Sequence, residues 1–145
     1  MNWAHVHLMI NHFPVIGVPG AVLLLVYALA RKSEEVRMVS FGLLVSISLV
    51  TIAVFLSGQG AVDVVKNLPG VTEAFVGRHE EMAAIALVLM EVLGVMALAG
   101  LYLLRRSGSI PKWLVLIVLV ASLITAAVVG LTANLGGQIR HTEIR

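Results

Sequence analysis

The chain has no cysteine and few charged residues. The absence of cysteine excludes disulfides, thiolate zinc sites, iron-sulfur clusters and haem attached covalently through a Cys-x-x-Cys-His motif. Only 12% of the 145 residues are charged and 59% are apolar, whereas soluble domains carry roughly 25% charged residues. This composition argues against a soluble domain and indicates an integral membrane protein.

Motifs for several common functions are also missing. The glycine-rich sequences Gly58-Gln59-Gly60 and Gly136-Gly137-Gln138 lack the lysine and hydroxyl residue of a phosphate-binding loop. No Ser-His-Asp or Cys-His arrangement for nucleophilic catalysis is recognisable, and no basic patch with interleaved aromatics indicates nucleic-acid binding. We therefore expect no nucleic-acid partner, and the sequence leaves open whether the protein is an enzyme.

Four apolar stretches are each long enough to cross a bilayer, which requires roughly 20 helical residues. We predict one domain over residues 1–145, with helices at about 5–30, 36–57, 79–104 and 112–135, the last with an extension to 141 left open. No basic residue precedes the first stretch, so we expect it to be kept as a helix rather than cleaved as a signal peptide. The short loops predict an all-α, up-down-up-down four-helix bundle in the lipid bilayer.

The only long connection, residues 57–81, contains Gly58, Gly60, Pro69 and Gly70. We expect it to be irregular, with a short helix at the membrane interface. Six of the ten basic residues lie in the other two connections: Arg31, Lys32, Arg37, Arg105, Arg106 and Lys112. The positive-inside tendency makes those connections cytoplasmic, which predicts a multi-pass protein of the bacterial inner membrane with both termini periplasmic.

All five histidines fall at the predicted outer ends of the helices. At 100° per residue, His5 and His12 lie within about 20° of each other on one face, and His7 points nearly opposite. We therefore expect His5 and His12 to face the bundle interior. Pro14 has no amide hydrogen for the carbonyl of Ile10, which predicts a kink in the first helix.

Imidazoles from facing helices are the usual ligands of a b-type haem. The leading hypothesis is an electron-transfer protein or subunit that binds haem b through histidines at the outer side of the bundle, linked to a membrane quinol and to other redox subunits. Arginines beside two of the histidines either pair with haem propionates or extend to lipid headgroups. The predicted cofactor-binding residues are His5, His12, His79, His141, Arg78 and Arg140.

Two alternatives remain open at this point. The first is a site for copper, zinc or iron, because mixed imidazole and carboxylate ligands suit these ions. Its candidate ligands are His5, His7, His12, His79, Glu80, Glu81 and His141, of which His5, His12, His79 and His141 are preferred. The second is a cofactor-free accessory subunit of a larger membrane complex, or a homo-oligomer.

Glu91 is predicted to lie near the middle of the bilayer, where ionisable residues are rare. One interpretation is a proton group or a quinone contact. The other is a neutral acid that is hydrogen-bonded across the bundle. The candidate hydrogen-bond partners are Ser46, Ser48, Thr51 and Thr125.

The two halves of the chain show a faint duplication. His5 precedes Arg31-Lys32-Ser33 by the same 26 residues that separate His79 from Arg105-Arg106-Ser107. Aligning the two halves on these basic motifs predicts that His5 is the counterpart of His79.

The motif His12-Phe13-Pro14-Val15, preceded by further histidines, and the ending Gly136-Gly137-Gln138-Ile139-Arg140-His141 resemble a family of small bacterial four-helix membrane proteins, the domain-of-unknown-function 2231 type. The resemblance runs along the whole chain. It implies the same four-helix architecture and draws attention to His12, His79 and His141, but it implies no activity or ligand.

Overall fold

The computed structural model describes residues 2–141, and the regular structure of this part of the chain is entirely helical. The helices are α1 (Trp3–Ile10), α2 (His12–Arg31), α3 (Glu34–Val65), α4 (Glu73–Ser107) and α5 (Lys112–Arg140). Together α1 and α2 form one span, and all four spans are long and apolar enough to cross a membrane. The predicted all-α, four-helix fold is confirmed.

The first span is interrupted at Asn11. The amide of Asn11 still bonds to the carbonyl of His7 at 2.9 Å, but the ring of Pro14 cannot donate to the carbonyl of Ile10. The interruption makes α1 a separate helix of eight residues. Its first turn is capped by Asn2, whose side chain accepts a hydrogen bond from the amide of His5 at 3.0 Å.

The connection between the second and third spans is much shorter than predicted. α3 continues to Val65 and α4 begins at Glu73, so the turn contains Pro69 and Gly70, the latter with a φ of 79°. Gly58 lies inside α3, where it allows a close side-chain contact instead of forming a turn. The prediction of an irregular segment over residues 57–81 was therefore wrong.

The spans pack in a closed ring in which each contacts the next and α5 returns to α2. Antiparallel packing places the start of α1, the end of α3, the start of α4 and the end of α5 together, and we call this the histidine end. The opposite end, which carries the two basic connections, is the basic end. Its connections are joined where the Glu34 carboxylate bonds the Arg37 side chain and accepts a hydrogen bond from the Ile110 amide at 3.2 Å.

The interior faces of α2 and α4 repeat at a spacing of 72 residues. Every buried residue of α2 has a buried counterpart at this spacing in α4, so the two helices turn equivalent faces to the core. The pairs are Pro14 and Ala86, Val18 and Met90, Ala21 and Leu93, Leu25 and Ala97, and Ala28 and Gly100.

Candidate functional site

His7 extends from α1 to α3. Its Nδ1 lies 3.0 Å from the carbonyl oxygen of Val54 and 3.3 Å from Oγ of Ser57. The ring lies on Gly58, where an added Cβ would be 3.1 Å from the ring carbon Cε1. Glycine at this position therefore lets the imidazole approach the helix backbone closely.

His79 makes the equivalent contacts between α4 and α5. Its Nδ1 lies 3.0 Å from the carbonyl oxygen of Thr132. The ring lies on Gly136, where an added Cβ would also be 3.1 Å from Cε1. In both halves the carbonyl that faces Nδ1 lies four residues before the glycine. One helical turn of α3 and one of α5 therefore contact a histidine ring in the same way.

The two imidazoles meet at the histidine end, between the two halves of the bundle. Their ring centroids are 6.4 Å apart and their planes are nearly perpendicular, at 81°. Both side chains are half-buried. A carbonyl oxygen can only accept, so we assign the proton of each ring to Nδ1, which leaves the lone pair on Nε2. Histidines that bind metals normally have this arrangement, with the other ring nitrogen donating to a carbonyl or carboxylate.

The structure identifies His7, and not His5, as the counterpart of His79. His7 and His79 are 72 residues apart, the spacing that relates the buried positions of α2 and α4. The matching carbonyl and glycine of α3 and α5 are related by 78 residues. The pairing of His5 with His79 expected from the basic motifs was wrong, because α4 continues to Ser107, beyond the position equivalent to the end of α2 at Arg31, so the two basic motifs are not equivalent positions.

The histidines expected to face inward are exposed. His5 and His12 share one face of the first span, as the helical angle requires, but that face points away from the core. Pro14 and Ala21 lie on the inward face of α2. His7 lies seven residues, or about two helical turns, before Pro14 and therefore shares that face. The expectation that His5 and His12 face the interior was wrong, since the angle between them does not say which side the core lies on.

His141 and the two arginines are also exposed. His141 caps the end of α5, where its amide donates to the carbonyl of Gly137 at 3.0 Å. The Arg78 guanidinium lies 4.9 Å from the ring centre of Phe75, and its Nε donates to a carbonyl of the same helix. Both contacts are local to α4.

The acidic candidates lie at the rim of the histidine end. Oε1 of Glu80 accepts a hydrogen bond from Gln59 at 3.4 Å, which joins α4 to α3, and Glu81 is exposed. Within residues 2–141, no group of three or more His, Asp or Glu side chains is placed to hold a metal ion. The site that the structure brings together therefore consists of two imidazoles.

Glu91 is half-buried between α4 and α3, where one of the two interpretations predicted a hydrogen bond across the bundle. Its Oε2 accepts a hydrogen bond of 2.8 Å from Oγ of Ser48 on α3. The cross-bundle hydrogen bond to one of the four candidate hydroxyls is confirmed. Oε1 of Glu91 is buried and has no hydrogen-bond partner in the described part of the chain.

His7 is the member of this pair that was not among the preferred candidate ligands. A signal for it exists in the sequence: His7, Pro14, Ala21 and Ala28 form a heptad series, as do His79, Ala86, Leu93 and Gly100. Aligning these series, rather than the basic motifs, pairs the correct histidines. Comparisons of the chain with protein-family models, with curated proteins and with solved structures found no match.

Proposed function

We propose that the protein is a membrane electron-transfer protein or subunit in which His7 and His79 would hold a b-type haem. The observation that supports this most directly is the pair itself. Two imidazoles from different helices are each fixed through Nδ1 to a backbone carbonyl, with centroids 6.4 Å apart. Fixing one nitrogen orients the ring and leaves Nε2 for a ligand.

The separation of the rings suits two ligands of one metal. With metal–nitrogen distances of about 2 Å, two imidazoles bound on opposite sides of an ion would have centroids roughly 6 Å apart. A haem iron needs only two ligands from the protein because the macrocycle provides the others. The pair would therefore complete the coordination of haem iron without a third side chain.

The surroundings give the remaining residues their proposed roles. Arg78 and Arg140 are exposed cations at the histidine end, where a propionate can accept two parallel hydrogen bonds from a guanidinium. When bound, the haem would supply a one-electron redox centre. We propose a quinol and other membrane redox subunits as its partners, in a bacterial inner membrane with the histidine end on the periplasmic side.

The test is the visible spectrum and pyridine haemochrome of protein purified in detergent after haem-replete expression. We expect about one haem per chain, and replacing either ligand, in His7→Ala or His79→Ala, should reduce bound haem more than about tenfold. His5→Ala and His12→Ala are matched controls on the same span and should keep it. A protein without a Soret band, or one that loses haem only in the controls, would refute the proposal.

A small metal ion is the second candidate. The observation that favours it is the close seating of both rings on Gly58 and Gly136, since a bare ion needs less space between them than a macrocycle does. Imidazole suits copper, iron and zinc. Elemental analysis would show stoichiometric metal that disappears in His7→Ala, without porphyrin. A folded protein with neither metal nor haem would instead support the accessory-subunit hypothesis, which a co-purifying partner in fixed ratio would establish.

A further inference from the structure

Glu91 is half-buried where α4 packs against α3, and one of its carboxyl oxygens, Oε1, is fully buried. It lies near the middle of α4, with Glu73 and Ser107 at the ends of the helix. Gly94, one turn further, makes room for the neighbouring helix, because a Cβ there would be 2.4 Å from Oγ of Ser48. This close approach brings the serine hydroxyl to the carboxyl group, where it donates at 2.8 Å.

Ser48 differs from the other buried hydroxyls of the central region. Thr51, Ser122 and Thr125 each donate to the carbonyl four residues earlier in their own helix, which is the usual behaviour of such residues in apolar helices. Ser48 donates to a side chain of another helix instead. The bond therefore holds one oxygen of the carboxyl group in a defined position, and Oε1 is buried without a hydrogen-bond partner among the described residues.

No cation within residues 2–141 faces this carboxyl group. The helices packed against α4 are α3 and α5, and residues 38–62 of the first and 113–139 of the second contain no Asp, Glu, Lys, Arg or His. Residues 13–30 of α2 contain none either, and the tyrosines Tyr27 and Tyr102 lie toward the basic end. An ionised carboxyl group would be an unpaired charge in an apolar interior, which is strongly unfavourable.

We propose that Glu91 is an intramembrane proton-binding site whose carboxyl group holds one exchangeable proton. Because Oε2 accepts from Ser48, the proton is held on Oε1, the oxygen without a partner. On release the O–H bond breaks, the electron pair stays on the carboxylate and the proton passes to water. The retained Ser48 bond then stabilises the anion. This inference does not depend on a ligand at His7 and His79.

The test is infrared spectroscopy of the full chain in lipid vesicles, which detects the carbonyl stretch of a neutral carboxylic acid. At pH 7 we expect one such band that is absent in Glu91→Gln and unchanged in Glu80→Gln, a control on the same helix. The band should move to lower frequency in D2O as the acid proton exchanges. In Ser48→Ala it should move to higher frequency because the carbonyl loses its hydrogen bond.

Absence of a neutral-acid band at pH 7, or a band that survives Glu91→Gln, would overturn the proposal. A band that does not respond to D2O would show that the proton does not exchange, and would also overturn it. If Glu91→Gln fails to fold, Ser48→Ala decides the assignment, since a band unmoved by this change does not belong to Glu91.

Discussion

The contact between Gly94 and Ser48 allows a quantitative test of how the two central helices pack. In Gly94→Ala the new methyl group would be 2.4 Å from Oγ and 2.5 Å from Cβ of Ser48, so the helices must separate. Overpacking of this kind costs about 1–3 kcal/mol, and the cross-helix hydrogen bond is worth about 0.6 kcal/mol in membranes. Alanine recovers roughly 0.5–1 kcal/mol of helix propensity. We expect a net destabilisation of about 1–3 kcal/mol.

The assay is reversible unfolding in mixed micelles, with Gly42→Ala as the matched control because no atom lies within 4 Å of an added Cβ there. The control should be neutral or slightly stabilising. The double variant Ser48→Gly with Gly94→Ala removes both clashing atoms and should restore most of the lost stability, giving a coupling energy above about 0.5 kcal/mol. Additive effects of the two changes, or a Gly94→Ala protein as stable as the control, would refute the packing argument.

Three further outcomes are expected. Gly100→Ala should lower the free energy of unfolding by about 1–3 kcal/mol, because its Cβ would be 2.3 Å from the ring of the fully buried Phe41; equal thermal stability of the two proteins in detergent would contradict this. Glu34→Gln should cost roughly 1–3 kcal/mol, because Arg37 is only 4% exposed and would lose its carboxylate; unchanged unfolding in micelles would show that the ion pair is not stabilising. A hydrophobic carbodiimide should label Glu91, and mass spectrometry of peptides would detect the adduct. A water-soluble carbodiimide should label only the exposed carboxyl groups. The reverse selectivity would argue against a protonated acid between the helices.

The membrane fold could be predicted because its causes are local in the sequence. Long apolar stretches interrupted by pairs of charged residues determine where helices begin and end at the basic end, as at Arg31 and Lys112. The same local analysis failed for residues 57–81, since Gly58 and Gly60 look like helix breakers. In the folded chain they are positions where His7 and Trp3 pack against the backbone of α3, and a contact of this kind depends on another helix.

The candidate site was predictable only in part. His79 was singled out, and the hydroxyl partner of Glu91 was among four candidates. The expected inward orientation of His5 and His12 was wrong because helical periodicity gives relative angles only. His5 and His12 do share a face, but which face is buried depends on where α3 lies.

By itself, the sequence determined that this protein consists of four apolar helices with histidines at one end and a single carboxyl group at the centre, because hydrophobicity and charge act residue by residue. Only the tertiary structure decided which imidazoles meet. His7 and His79 are brought within 6.4 Å by glycines on two other helices. Such a close contact between an imidazole and a helix backbone depends on how two helices pack, so the sequence of one helix does not determine it.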